Sequence, residues 1–165
     1  MSTLEEVAKQ PREERLDQLQ RTSDDLAAAI RDGDDTALSR RPDATNWAAK
    51  EVVCHLRDSE EFFLQCLEAM IKQDEPEFGG PSNLADRWAE ERQYLRNDTD
   101  HAFRVFRKHR TATLAFLRGR EPEDWERGGS FGSLGRMSVD YLLAVIAWHD
   151  ANHLDQLERA LDGRA

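Results

Sequence analysis

Two histidines four residues apart, His149 and His153, lie near the end of this 165-residue chain. On a helix that spacing stacks their rings one turn apart on a single face. A third, His55, falls inside another amphipathic stretch, beside Ser59 and Phe62. Neutral imidazole is a good ligand for zinc, nickel, copper and ferrous iron. Three protein ligands on a small divalent ion leave a coordination position open, the pattern of a reactive site rather than a purely structural one. Such a position can hold a water whose pKa falls toward about 7, or can take a thiolate directly. The competing reading is three ordinary histidines satisfied within a core. His101 projects away from the apolar face of its own stretch and His109 is marginal to it, so both read as surface residues.

The neighbours of the three histidines carry further candidates. Metal-bound imidazoles usually donate their second ring N–H to a carboxylate or carbonyl. Glu51 lies one turn before His55 and Asp58 nearly one turn after it, so either could hold that ring. Asp150 falls near the centre of an apolar stripe, where a carboxylate is costly unless paired. It therefore predicts an ion pair with an arginine of another helix, or general-base work. Glu51 and Asp150 are the two catalytic candidates. Gln156 flanks His153 and could hydrogen-bond a bound ligand, while Trp47 and Trp125 read as packing residues at the bundle ends. Cys54 faces about 100° away from His55 on a helix, which argues against a Cys–His nucleophile pair. Cys54 and Cys66 on one helix would be about 18 Å apart, beyond disulfide reach. The run Gly128-Gly129-Ser130-Phe131-Gly132 is not a phosphate-binding loop, since no Lys-Ser/Thr follows it. No Gly-x-Ser-x-Gly elbow is present.

Four helical stretches position these residues. The first spans about Pro11 to Arg31, with Leu16, Leu19, Leu26 and Ile30 at helical spacing, and stops near Gly33. The second runs from about Trp47 to Gln73, capped by Asp43, Thr45 or Asn46. Its stripe is Val52, Leu56, Phe62, Phe63, Cys66, Leu67 and Met70. The segment Asp74 to Asn83 carries two prolines and two glycines and breaks the helix. A third region covers about Leu84 to Gly119, with Phe103, Phe106, Leu114 and Leu117 on its core face and a separate short helix possible around Trp88. Arg118 to Met137 reads as a long loop. The fourth helix starts at Ser138, a good cap, and carries Val139, Leu142, Leu143, Ile146, Leu154, Leu157 and Leu161. No strand alternation of useful length is visible. An all-α, antiparallel four-helix bundle in a single domain, 1–165, follows.

Composition narrows the partners. Thirty-three acidic against 23 basic residues give a net charge of −10, which disfavours nucleic acid and anionic membrane surfaces. No apolar run approaches the roughly 20 residues of a membrane span. Met1 to Gln20 is too charged for a secretory signal, so a cytoplasmic location is the default expectation.

The segment Trp47-Ala-Ala-Lys-Glu51-Val-Val-Cys-His55-Leu-Arg-Asp58-Ser59-Glu60 resembles the second-helix signature of the DinB-like, or YfiT-like, superfamily. His149-Asp150-Ala-Asn152-His153-Leu-Asp-Gln156 is similar to its fourth-helix signature, and Leu117 to Trp125 looks like its characteristic end of helix three. The resemblance covers nearly the whole chain. It implies an up-down-down-up bundle, frequent homodimers, and a divalent metal site (zinc, nickel, iron or manganese) on His55, His149 and His153. It also implies a metal-dependent thiol transferase or hydrolase acting on a small molecule or thiol. The alternative is a non-catalytic, stress-associated metal-binding bundle or a homodimeric interaction module.

Overall fold

The computed structural model describes residues 2–79 and 84–165. Its helices are α1 (Leu4–Ala8), α2 (Arg12–Ile30), α3 (Asp35–Ser39), α4 (Ala49–Lys72), α5 (Leu84–Glu91), α6 (Thr99–Arg118) and α7 (Val139–Leu161). Three short strands, β1 (Glu77–Phe78), β2 (Gly128–Phe131) and β3 (Arg136–Ser138), form a small sheet in the order β1-β2-β3. The four long helices, α2, α4, α6 and α7, are the bundle. Long-range contacts fix their directions. Arg15 meets Asp140, Gln18 meets the Ala147 carbonyl and Thr22 meets Asp150, so α2 and α7 run the same way. On α4, His55 lies against His149 while Glu60 and Asp150 share Arg110, and Met70 packs in one cluster with Leu142 near the start of α7. Helix α4 therefore runs opposite to α7. Helix α6 keeps company with α4 at both ends: Phe103 and Phe106 cluster with Val52 and Leu56, and Leu114 and Leu117 with Leu67 and Met70. The order is up-down-down-up, two helices each way.

The caps explain where the bundle helices begin. The Ser138 hydroxyl accepts from the Tyr141 amide and the Asp98 carboxylate from the His101 amide, each satisfying one exposed N–H of a first turn. Helix α4 starts differently from the expectation. Its N-cap is Ala48, and the Glu51 carboxylate reaches back to accept from the Ala48 amide at 2.9 Å. Asp43 instead organises the preceding turn, accepting from the amides of Thr45 and Asn46. The third helical region divides: α5 holds Trp88, and α6 begins only at Thr99.

Two further differences concern segments read as loops. The Gly33–Asn46 connection contains α3, and the expected long loop holds a 3-10 turn, Pro122–Glu126, followed by the β2–β3 hairpin. Strands of two to four residues are too short to show alternation. Gly128 and Gly129 mark them instead, by close approach. A Cβ on Gly128 would sit 2.6 Å from the Met137 carbonyl, and one on Gly129 2.8 Å from that of Pro76. Of the break expected from Asp74 to Asn83, residues 80–83 lie outside the described residues.

The core is split. One apolar cluster contains Leu16, Leu19, Leu67, Met70, Leu117 and Leu143; the other contains Leu26, Val52, Leu56, Phe103, Phe106 and Leu157. Between them lies a polar layer of Thr22, Glu60, Arg110 and Asp150, with the three histidines beside it. Among the described residues, no helix is long and apolar enough to cross a membrane.

Candidate metal centre

Helix α4 brings His55 to the level of the polar layer, where α7 presents His149 and His153 one turn apart. The ring centroids are 5.1 Å apart for His55 and His149, 4.4 Å for His55 and His153, and 4.3 Å for His149 and His153. One nitrogen from each ring lies within 4.8 Å of the other two, and the Nε2 atoms of His55 and His149 are 3.0 Å apart. A tetrahedral ion with bonds of about 2.0–2.1 Å would hold its ligand nitrogens about 3.3 Å from each other. The spacing therefore suits one shared small cation with little movement.

The chemistry of the donors agrees. A neutral imidazole has one donating and one accepting nitrogen. The Gln156 amide oxygen lies 2.7 Å from His153 Nδ1, and an amide oxygen can only accept, so this contact puts the proton on Nδ1 and leaves Nε2 a free lone pair. The Nδ1 atoms of His55 and His149 are buried without a hydrogen-bond partner. Three rings facing one another cannot all satisfy each other by a single proton, whereas one cation at their centre engages every facing lone pair. Ser59 Oγ lies 3.3 Å from His55 Nε2.

All three imidazoles are held neutral. Burial pushes the His55 pKa down to about 3, with His153 adding to the effect. Burial also takes His149 well below the ordinary value, helped by its two histidine neighbours and by the Arg110 cation. His153 is lowered by burial and partly restored by Gln156. Neutral rings are the form that binds metal. The two cysteines take no part, since burial pushes Cys54 up to about 11 and Cys66 up to about 12, leaving protonated thiols.

The catalytic candidates sit elsewhere in this arrangement. Asp150, next to His149 in sequence, points into the polar layer, accepting from Arg110 at 2.6 and 3.1 Å and from the Thr22 hydroxyl at 2.9 Å. The ion pair with an arginine of another helix is thus present. Burial raises the Asp150 pKa against the pull of Arg110. Arg110 also donates to Glu60 at 2.7 Å and to the Leu19 carbonyl at 2.9 Å, so one guanidinium from α6 ties all four bundle helices together. Glu51 forms a two-pronged pair with Arg41, at 2.7 and 2.5 Å, besides its capping contact. Asp58 accepts from Arg57, Arg92 and the Tyr94 hydroxyl. Among the described residues none of Glu51, Asp58 and Asp150 hydrogen-bonds a ring of the triad; the Gln156 amide meets His153 Nδ1 and the Ser59 hydroxyl meets His55 Nε2.

Trp47 belongs to the centre rather than to a bundle end. Its ring lies 14° from parallel to His153 with centroids 6.4 Å apart, and 5.2 Å from His55. Phe63 closes the other side, edge-on to His149 at 5.4 Å. Arg110 is absent from the candidates read in the sequence, although a signal exists. It continues the spacing of Phe103 and Phe106 toward Leu114 and Leu117, so a cation interrupts the core face of α6, as Asp150 interrupts that of α7. Trp125 is a buried packing residue, with Arg12 over its ring at 4.0 Å.

The sequence pattern of the DinB superfamily matches residues 18–157. No curated protein sequence matches the chain. Among solved structures, the chain is similar to YfiT from Bacillus subtilis, described as a probable metal-dependent hydrolase with an unusual four-helix bundle topology. The TM-score is 0.83 at 18% identity, over 95% of this chain and 90% of that one. It is also similar to the mycothiol-dependent maleylpyruvate isomerase, with a TM-score of 0.71 at 14% identity, over 95% of this chain but only 63% of that one. At these identities the likeness is one of fold.

Proposed function

The chain belongs to the DinB superfamily, and on that premise we propose that it uses a divalent ion to act on a small molecule, as a thiol transferase or a hydrolase. The reading is carried by the convergence of three neutral imidazoles, from two helices, around one point. His55, His149 and His153 would hold the ion, whether zinc, nickel, iron or manganese. When bound there, the ion supplies Lewis acidity toward a carbonyl, a water or a thiol sulfur.

The protein's own residues supply the rest. Gln156 fixes the His153 tautomer and aims its Nε2 at the centre. Trp47 and Phe63 shield the rings from bulk water, which strengthens polar contacts formed inside. The Ser59 hydroxyl is near enough to His55 to donate a hydrogen bond to a group at the open position. Arg110 keeps α4 and α7 in register, so that His55 and the His149–His153 pair stay opposed.

The test compares metal-loaded protein with His149→Ala across small thiols paired with electrophiles, and across esters and amides. Metal-dependent turnover that disappears in the variant supports the reading. Equal rates for the two proteins across the whole panel overturn it. A metal-dependent rise in melting temperature alongside equal rates would leave a non-catalytic metal-binding bundle.

A further inference from the structure

Beyond Trp47 lies a cavity of about 420 Å³ that shares this indole with the histidine centre but contains none of the three histidines. Its volume falls in the range of small-molecule sites, roughly 300–1,000 Å³. Trp47 and Leu95 give it an apolar wall, and Leu95 is one of three large apolar side chains left exposed among the described residues, at 39%. Four charged side chains line it as well, and they fall into two kinds. Arg41 is pinned by Glu51, which is 2% exposed and fixed by its capping bond, so that pair is rigid and internally balanced. Arg96 and Glu90 are exposed, and among the described residues neither has an ion-pair partner; Arg96 donates only to the Gln93 side chain. Gln93 itself takes a left-handed backbone, φ 48° and ψ 57°, a conformation costly for a non-glycine residue and held here at the cavity wall.

We propose that this cavity, across Trp47 from the histidine centre, takes a small zwitterion of the α-amino-acid class with an apolar side chain. The apolar part would lie on Trp47 and Leu95, the carboxylate on Arg96 and the ammonium on Glu90. A lining with one unpaired charge of each sign, around an apolar wall, complements a molecule that carries both charges and no net charge. A simple anion would meet Glu90 and a simple cation Arg96, so each is disfavoured by one contact. The proposal goes beyond the metal reading and concerns binding alone, since none of the three histidines lines the cavity.

Isothermal titration with L-phenylalanine, 3-phenylpropionate and phenethylamine tests it, on the wild type, Arg96→Gln and Glu90→Gln, with metal content measured on every sample. L-Phenylalanine should bind tightest, and each variant should lose about tenfold, the worth of one charge-assisted hydrogen bond. Both positions are exposed, so the variants should keep the wild-type melting temperature. Equal binding of the three probes, unchanged binding in the variants, or no binding of any probe overturns the proposal. Absent binding with metal retained removes the zwitterion pocket alone. Preferred L-phenylalanine binding, with or without metal, upholds the pocket independently of the metal reading.

Discussion

Replacing Arg110 with methionine tests the organisation of the polar layer. The arginine is 1% exposed and engages Glu60, Asp150 and the Leu19 carbonyl, while Glu60 and Asp150 are each 1% exposed. Methionine of similar length would leave two carboxylates buried with no cation between them. Removing one partner of a buried ion pair costs about 3–5 kcal/mol, because the remaining charge is desolvated and uncompensated. The total stability of a native protein is roughly 5–15 kcal/mol. The loss is therefore a large fraction, corresponding to a fall of about 6–20 °C in melting temperature at roughly 2–4 °C per kcal/mol. The pH dependence gives a second signature. Burial raises the Asp150 pKa against the pull of Arg110; without that cation it rises further above its unfolded value, so the folded state binds the extra proton and the deficit shrinks as pH falls. Thermal melts followed by circular dichroism at pH 7 and pH 5, on chelator-treated protein to remove metal stabilisation, measure both effects. A variant melting within about 2 °C of the wild type at pH 7 would refute the assignment of Arg110 as the cation that holds this layer together.

Two further outcomes follow from the centre itself. Gln156→Leu removes the acceptor of His153 Nδ1 and should weaken metal binding by about 10–100-fold in a chelator competition, with a small effect on metal-free stability; unchanged affinity would show that His153 needs no tautomer partner. In the metal-free protein, His55 titrates near 3 when folded and near 6.5 when unfolded, so the unfolded chain takes up a proton that the folded one refuses. Stability should fall by about 1.4 kcal/mol for each pH unit below about 6.5 from this ring alone, and should be insensitive to it above that pH. A urea midpoint that stays constant or rises between pH 7 and pH 5 would contradict the buried neutral ring.

The long elements were legible because each repeats an apolar residue at helical spacing, as Leu142, Leu143, Ile146 and Leu157 do on α7, and because residues such as Ser138 have one strong local preference. Helix α4 shows the limit of that rule. Three polar residues before it could cap it, yet Glu51 performs the capping from inside the helix while also pairing with Arg41. The strands are not legible in the sequence because each is too brief for a period, and because β1 pairs with β2 across some fifty residues, Glu77 opposite Ser130 and Phe78 opposite Phe131. At the centre, the histidine spacing on one helix and the apolar phase of His55 on another were enough to bring the three rings together on paper. Their neighbours were not readable in the same way. Whether Asp58, Glu51 or Gln156 turns toward a ring depends on which arginines, from the same helix or from the connections around it, reach each one first. Arg92 and Arg57 claim Asp58, Arg41 claims Glu51, and Gln156 remains for His153. Trp47, one residue before the N-cap of α4, reads as a bundle-end residue from its position in the chain, whereas its ring folds back over His55 and His153.

Metal analysis of protein purified without an affinity tag, together with His55→Ala and His153→Ala, tests the three-imidazole centre most directly. The wild type should carry a single divalent ion per chain, and either substitution, one on each helix, should reduce that to a small fraction while the helical circular dichroism signal remains. A wild type with no bound metal after growth and dialysis against zinc, nickel, iron and manganese, or a His55→Ala variant that keeps its full complement, would contradict a shared ion between α4 and α7.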